Sequence, residues 1–292
     1  MIQVEGLDGR TAVVTGAGRG IGQRIAEVLA GNGARVAALD LEAPDHAGVL
    51  GIACDVSDEG AVEALAAATL DRFGAVHVLC NNAGVVTTGD PWFGPVSTWQ
   101  WVLGVNLWGV IHGVRAFLPT LIGQGEGHIV NTASMAGLMP GFQPSYDASK
   151  HAVVAITEDL YSMLNAAGLP IGVSVLCPGW VRTNIIDAER NWPAALGEAP
   201  PPGLGSEIVE RHVRRAIDEG VTPAAVADQV ADAVSAGRYW VFPHPEFVEI
   251  AAQRWATIAE GQNPGLQVDM PGLPPAEQLA EEMAALLAPP PA

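Results

Sequence analysis

The chain has 292 residues, 49% of them apolar and 16% charged, which suits a sizeable core and excludes a disordered polypeptide. Its formal net charge is −18, with 32 acidic side chains against 14 basic ones. That balance excludes a nucleic-acid partner, which needs a basic footprint, and argues against docking on an anionic membrane or an acidic carrier protein.

The first residues, Met1-Ile2-Gln3-Val4-Glu5, have no basic segment leading into an apolar one. No uninterrupted apolar stretch reads as long enough to span a bilayer, so a cytoplasmic protein is expected. Thr11–Thr15 predicts the first strand and Ile21–Gly31 the first helix. Between them runs Thr15-Gly16-Ala17-Gly18-Arg19-Gly20-Ile21-Gly22. Glycines placed there allow a tight turn and let backbone approach a pyrophosphate at the helix N-terminus. A plain tight turn is the competing reading. The second strand, Ala34–Leu39, leads to Asp40. A carboxylate at that point can accept from adenosine ribose hydroxyls and would repel a 2′-phosphate, and Leu41 brings no compensating charge. The expected cofactor is therefore NAD, with NADP disfavoured. Arg19 is the contrary feature, because a guanidinium in the glycine loop can reach a 2′-phosphate.

Further strands are predicted at Val49–Ala53, Val76–Cys80, His128–Thr132, Gly172–Leu176 and Arg238–Phe242. Helices are predicted at Asp58–Phe73, Ser97–Leu121 and Tyr146–Ala167. Several strands are apolar on both faces. This alternation predicts an α/β fold, a doubly wound parallel sheet of about seven strands with helices on both faces. We divide the chain into one catalytic domain, residues 1–261, and a Pro/Gly-rich tail, residues 262–292, with a short helix at Ala276–Leu287. The tail is expected to pack on a neighbouring subunit or hang free. Within the domain, residues 184–237 break the rhythm and read as a substrate lid with helices Ser206–Glu219 and Pro223–Ala236.

Lys150 is the only lysine, four residues after Tyr146. Residues so spaced share a helix face with Cβ atoms about 5–6 Å apart. An ammonium near a phenol lowers the phenol's pKa, making Tyr146 a candidate general acid/base. Cys54, Cys80 and Cys177 form no CxxC pair and read as small buried hydrophobes in a reducing compartment. The histidines form no ligand cluster, so no metal site is expected.

The motifs, in chain order, resemble the short-chain dehydrogenase/reductase family. They are Thr15-Gly16-x-x-x-Gly20-Ile21-Gly22, Cys54-Asp55-Val56, Asn81-Asn82-Ala83-Gly84, Asn106 within Val105-Asn106-Leu107, Ser134 ending Asn131-Thr132-Ala133-Ser134, Tyr146-x-x-x-Lys150, and Pro178-Gly179-Trp180-Val181-Arg182-Thr183. The likeness covers roughly residues 6–185 and the last strand, not the insertion or the tail. It implies a Rossmann-type single domain and hydride transfer between a nicotinamide and a secondary alcohol or ketone. By that resemblance Tyr146 exchanges the proton, Lys150 lowers its pKa and binds the nicotinamide ribose, Ser134 steadies the substrate oxygen, and Asn106 holds a relay water. Asp55, Val56, Asn82, Ala83, Gly84, Pro178, Gly179, Val181 and Thr183 join Gly16, Arg19, Gly20, Ile21, Gly22, Asp40, Tyr146 and Lys150 as expected cofactor contacts. A homotetramer or dimer packed along Ser97–Leu121 and Tyr146–Ala167 is also implied. The stretch from Ser134 to Tyr146 is one residue shorter than the family's commonest spacing, which leaves the substrate wall open.

Met135, Phe142, Gln143, Trp180 and Trp192 flank these motifs and, with Ser134 and Tyr146, are the candidate substrate contacts; core packing is the alternative for each. The expected substrate is a bulky apolar alcohol or ketone. Two rivals stand beside this reading. One is an NADPH-dependent 3-oxoacyl-carrier-type reductase, which would want a basic docking patch and no Asp40. The other is a non-catalytic dinucleotide-sensing protein, which would have lost members of the Asn106, Ser134, Tyr146 and Lys150 set.

Overall fold

A computed structural model of the chain describes residues 6–141, 143–203, 206–264 and 269–287. Its strands are β1 Thr11–Thr15, β2 Arg35–Asp40, β3 Val49–Ala53, β4 Val78–Asn81, β5 Gly127–Thr132, β6 Ile171–Leu176 and β7 Trp240–Val241. They form one seven-stranded parallel sheet in the order β3-β2-β1-β4-β5-β6-β7, a Rossmann-type arrangement. Side chains alternate along each strand, so the apolar runs serve two cores at once. Ala12 and Val14 of β1 belong to one core and Val13 to the other. Val36 and Ala38 of β2 divide from Ala37 and Leu39 in the same way.

Helix α1, Gly20–Gly31, buries Ile25, Ala26 and Leu29 in the first core. Helix α2, Glu59–Phe73, starts where the Asp58 side chain accepts from the Ala61 N–H at 3.1 Å and stops at Gly74 with φ 78°. A side-chain acceptor at the start and a left-handed glycine at the end satisfy the orphan groups of a helix.

The helix expected at Ser97–Leu121 consists of α3 Ser97–Leu103, a π-helical turn Gly104–Trp108 and α4 Gly109–Gln124. Together they run 28 residues and include an 18-residue window at mean hydropathy 1.3, long and apolar enough to cross a membrane by length and composition. Asn106, His112 and Arg115 interrupt it, so it is not an uninterrupted apolar stretch. The helix lies against the sheet and buries Val110, Phe117 and Leu121, as a core helix does. Helix α5, Pro144–Ala166, begins at a proline that supplies the preset φ of a first turn.

The expected insertion divides in two. Its first part holds short 3₁₀ turns at Ile185–Asn191 and Ala194–Leu196 and helix α6, Ser206–Glu219. Its second part, α7 Pro223–Ala236, packs on α1 and gives Val226, Val230 and Val234 to the core. Helix α8, Glu246–Ala259, was not anticipated; it buries Phe247 and Ala251. Helix α9, Ala276–Leu287, is the tail helix.

Candidate active site

A cavity of about 370 Å³ opens along the carboxyl ends of the strands, beside β1 and β4 where the strand order reverses. Open α/β sheets bind ligands at that point. Gly16 and Gly20 have φ of 63° and 60°, which a side chain would strain. A Cβ at Gly16 would lie 2.7 Å from Ala83 Cα, and one at Gly22 would lie 2.1 Å from the Gly16 carbonyl oxygen. The loop is thus a bare backbone cradle. Helix α1 has no acidic residue in its first turn and no side-chain cap, so its N-terminal N–H groups are left to an anion. These features fit the phosphates of a dinucleotide.

Thr15 organises the next wall. Its hydroxyl accepts from the N–H of Asn82 at 2.9 Å and of Ala83 at 3.0 Å, while Asn82 Nδ2 donates to the Thr15 carbonyl at 3.1 Å. Asp40 Oδ2 accepts from the Gly18 N–H and Oδ1 from the Leu41 N–H, both at 2.8 Å. Asp55 accepts from the Ser57 N–H at 2.9 Å and its hydroxyl at 2.7 Å. Gly16, Arg19, Gly20, Ile21, Asp40, Asp55, Val56, Asn82, Ala83, Gly84, Pro178, Gly179, Val181 and Thr183 all line the cavity. Gly22 does not; it sits behind the loop, against Gly16.

Ser134, Tyr146 and Lys150 meet deeper in the same cavity. The Ser134 hydroxyl accepts from the Ala136 N–H at 3.1 Å and hydrogen-bonds Tyr146. Lys150, 2% exposed, donates from Nζ to the Thr132 carbonyl at 2.8 Å and lies 5.6 Å from the centre of the Tyr146 ring. Burial pushes the Tyr146 phenol up to about 12, against the lowering effect of the Ser134 hydrogen bond, and pushes the Lys150 ammonium down to about 8. Nζ donates to the end of β5, and desolvation of the phenolate is the largest influence on Tyr146.

Asn106, fully buried on the π-helical turn, does not line the cavity. Its Oδ1 accepts from the Val85 N–H at 2.8 Å, and its Nδ2 donates to the Val85 carbonyl at 2.9 Å and to the Ser149 hydroxyl at 3.1 Å. Its side chain pins the segment after β4 to α5. A Cβ on Gly84 would be 3.5 Å from both Asn106 Oδ1 and Lys150 Nζ, so both groups converge on that glycine.

Among the expected substrate contacts, Met135, Gln143 and Trp180 line the cavity, and Phe142 lies outside the described residues. Gln143 Oε1 is buried without a hydrogen-bond partner among the described residues. Trp192 is a correction: it stacks edge-on against Trp101 at 5.1 Å, and Trp101 takes the place on the wall. Several residues went unnoticed in the sequence. His244 accepts from the Gly179 N–H at 3.0 Å through Nδ1, so its Nε2 donates to the Trp180 carbonyl at 2.8 Å, steadying the Pro-Gly loop. Glu189 Oε1 accepts from the Thr87 hydroxyl at 2.9 Å and the Thr88 N–H at 2.7 Å, joining the lid to the loop after β4. Met270 of the tail lines the cavity, and Trp180 Nε1 donates to the Pro271 carbonyl at 2.7 Å. The only signals for these were a histidine between two prolines and an acid beside a lid arginine, neither specific. The three cysteines are buried, and burial pushes the thiols of Cys80 and Cys177 up to about 12. No His/Cys/Asp/Glu cluster able to hold a metal occurs among the described residues.

The short chain dehydrogenase family pattern matches residues 10–194. A short chain dehydrogenase/reductase from Burkholderia phymatum, solved in complex with NAD, is 40% identical, covering 90% of this chain and 99% of its own at a TM-score of 0.85. The 2-(R)-hydroxypropyl-CoM dehydrogenase of Xanthobacter autotrophicus is 38% identical over 77% of this chain and 89% of its own. The 1-deoxy-11-beta-hydroxypentalenate dehydrogenase of Streptomyces avermitilis is 36% identical over 82% of this chain and 86% of its own. The chain belongs to the short-chain dehydrogenase/reductase family, whose members named here are oxidoreductases acting on hydroxyl or ketone groups.

Proposed function

We propose that the chain is an NAD-dependent oxidoreductase that interconverts a secondary alcohol and a ketone on a bulky apolar substrate. The observation that carries the cofactor choice is Asp40. Both of its oxygens are fixed by backbone N–H groups at the end of β2, so its charge stands where an adenosine ribose would lie and repels a 2′-phosphate. The relative from Burkholderia phymatum, with NAD in its crystal, supports the same choice. Val86, Met139, Ile186, Val213 and Met270 on the cavity wall support an apolar substrate, with Gln143 Oε1 an acceptor for one polar group. We include in this reading a subunit contact along α4 and α5, where Trp108, Ile122, Tyr161 and Met163 leave apolar surface exposed.

The bound cofactor supplies or accepts the hydride. Tyr146 gives its proton to the substrate oxygen as a ketone is reduced and takes it back as an alcohol is oxidised. A phenol held protonated near neutral pH suits the donating direction. Ser134 hydrogen-bonds the same oxygen and opposes charge building on it. Lys150, anchored on the Thr132 carbonyl, holds positive charge beside the phenol and would hold the cofactor's ribose. Asn106 acts from behind by fixing Val85 and, through Ser149, α5.

The cofactor choice is tested by titrating NADH and NADPH into the chain and into Asp40→Ala. The original chain is expected to bind NADH at least tenfold more tightly, and Asp40→Ala to narrow that gap, each tenfold being about 1.4 kcal/mol. A preference of the original chain for NADPH would overturn the reading and give Arg19 the deciding role.

A further inference from the structure

We propose that Arg190 of the lid is a cofactor-binding residue: together with Arg19 it grips the diphosphate of the dinucleotide, so that cofactor binding fastens the turn Ile185–Asn191 over the cavity. The inference rests on the dinucleotide reading above.

Arg19, Lys150 and Arg190 are the basic residues on the cavity wall. Lys150 serves the catalytic end. Of the other two, Arg19 lies within the glycine loop and Arg190 on the lid, both on the wall of the same cavity. Arg190 is held in place by its own turn. Its Nη1 donates to the Asn184 carbonyl at 3.0 Å and to the Asp187 carbonyl at 2.6 Å. Asn184 directly follows Thr183, whose Cγ2 would lie 3.2 Å from a Cβ at Gly20, the first residue of α1. The guanidinium is thereby held by the carbonyl of a residue next in sequence to the one that packs against the start of α1. Its two tethers are carbonyls, and its remaining N–H groups have no partner among the described residues. It makes no ion pair there either, because the Asp187 carboxylate is engaged by Arg214 at 2.7 Å.

Arg19 and Arg190 repel each other across this space, and partial desolvation with that repulsion holds the guanidinium of the exposed Arg190 below its ordinary pKa. Asp187 and Asp40 are the nearby counter-charges; the first is paired with Arg214 and the second accepts from Gly18 and Leu41. Two like charges beside an uncapped helix N-terminus are stabilised by a dianionic ligand such as a diphosphate, which guanidinium forks match in shape. The neighbouring Glu189 accepts from Thr87 and Thr88 on the other side of the lid. Adjacent residues therefore fix one turn at both edges, one to the protein and one to the cofactor.

The test uses ADP-ribose, which carries the diphosphate without the nicotinamide, beside adenosine and adenosine 2′,5′-bisphosphate. Calorimetric affinities are measured for the full chain, Arg190→Gln and Arg190→Lys, together with amide exchange over residues 185–191. Arg190→Gln is expected to weaken ADP-ribose roughly tenfold or more, the usual effect of losing a charged hydrogen bond, and to leave adenosine unchanged. Arg190→Lys should recover part of the loss. ADP-ribose should slow exchange across the lid turn in the original chain and not in Arg190→Gln. Equal ADP-ribose affinity in all three chains would overturn the proposal alone. A loss confined to the 2′,5′-bisphosphate would overturn it by assigning Arg190 to the ribose. A chain that binds no ADP-ribose at all would sink the dinucleotide reading as well.

Discussion

Asp147 shows how one residue beside Tyr146 answers to burial rather than to sequence position. It is 9% exposed, accepts from the Gly141 N–H at 2.7 Å, and lines the cavity next to Tyr146. Desolvation pushes its carboxyl from 3.8 to about 6, with the Gly141 hydrogen bond opposing the rise. A folded-state value above the unfolded one means the folded chain holds this proton more tightly. The contribution is favourable at low pH and is lost as pH rises through about 6. Replacing Asp147 by Asn keeps an acceptor for Gly141 and removes the charge. Asp147→Asn should gain stability relative to the original chain on going from pH 4 to pH 7, on the order of 2 kcal/mol. Denaturant midpoints at the two pH values measure this, and a difference that does not move with pH would refute it. The same physics limited the sequence reading of Tyr146 and Lys150. Their spacing located the pair correctly, but desolvation, which decides both pKa values, has no signature in spacing.

Among the elements, the strands were the most legible because a doubly covered parallel sheet demands apolar side chains on both faces. Val13 and Val14 of β1 each fill a different core. The glycine loop was legible for a related reason, that no side chain fits. Gly22→Ala would drive a methyl to 2.1 Å from the backbone oxygen of Gly16, which cannot yield without opening the loop. We expect it to cost about 1–3 kcal/mol, as overpacking does, and to weaken dinucleotide binding. Gly31→Ala, at the other end of α1, meets nothing within 4 Å and should be neutral or slightly stabilising. Equal effects of the two substitutions on thermal midpoint would contradict this account. Less legible were elements whose pattern is indifferent to their role. A π-helical turn adds one residue to an apolar helix without breaking its apolarity, so the turn that carries Asn106 could not be foreseen. Helix α8 begins directly after Pro243-His244-Pro245, a stretch that reads as a loop. Trp192 lies near the lid in sequence, and only packing against Trp101 decides which side of the wall it occupies.

At the scale of the molecule, lid and tail form a common roof over the cavity. Trp180 holds the Pro271 carbonyl, Gly272 packs on the same indole and on Ala216 of α6, and His212 of α6 meets Glu282 of α9 at 3.1 Å. The tail, expected to seek a neighbour or hang free, packs on its own lid and contributes Met270 to the wall. Removing residues 269–292 should raise the KM for a bulky apolar alcohol several-fold, since even one lost methylene contact is worth about 1–3 kcal/mol, and leave NADH affinity unchanged. An unchanged KM would mean the tail does not touch substrate. The account as a whole stands on one constellation, Ser134, Tyr146 and Lys150 meeting at the end of a dinucleotide cavity. The direct test is nicotinamide absorbance during incubation of NAD with a panel of secondary alcohols, run for the chain and for Tyr146→Phe beside NADH titrations of both. The account predicts NAD reduction on bulky apolar alcohols, loss of turnover in Tyr146→Phe, and NADH binding within a few-fold in the two chains. Substantial turnover in Tyr146→Phe with NADH binding intact would show that another group moves the proton and would contradict it.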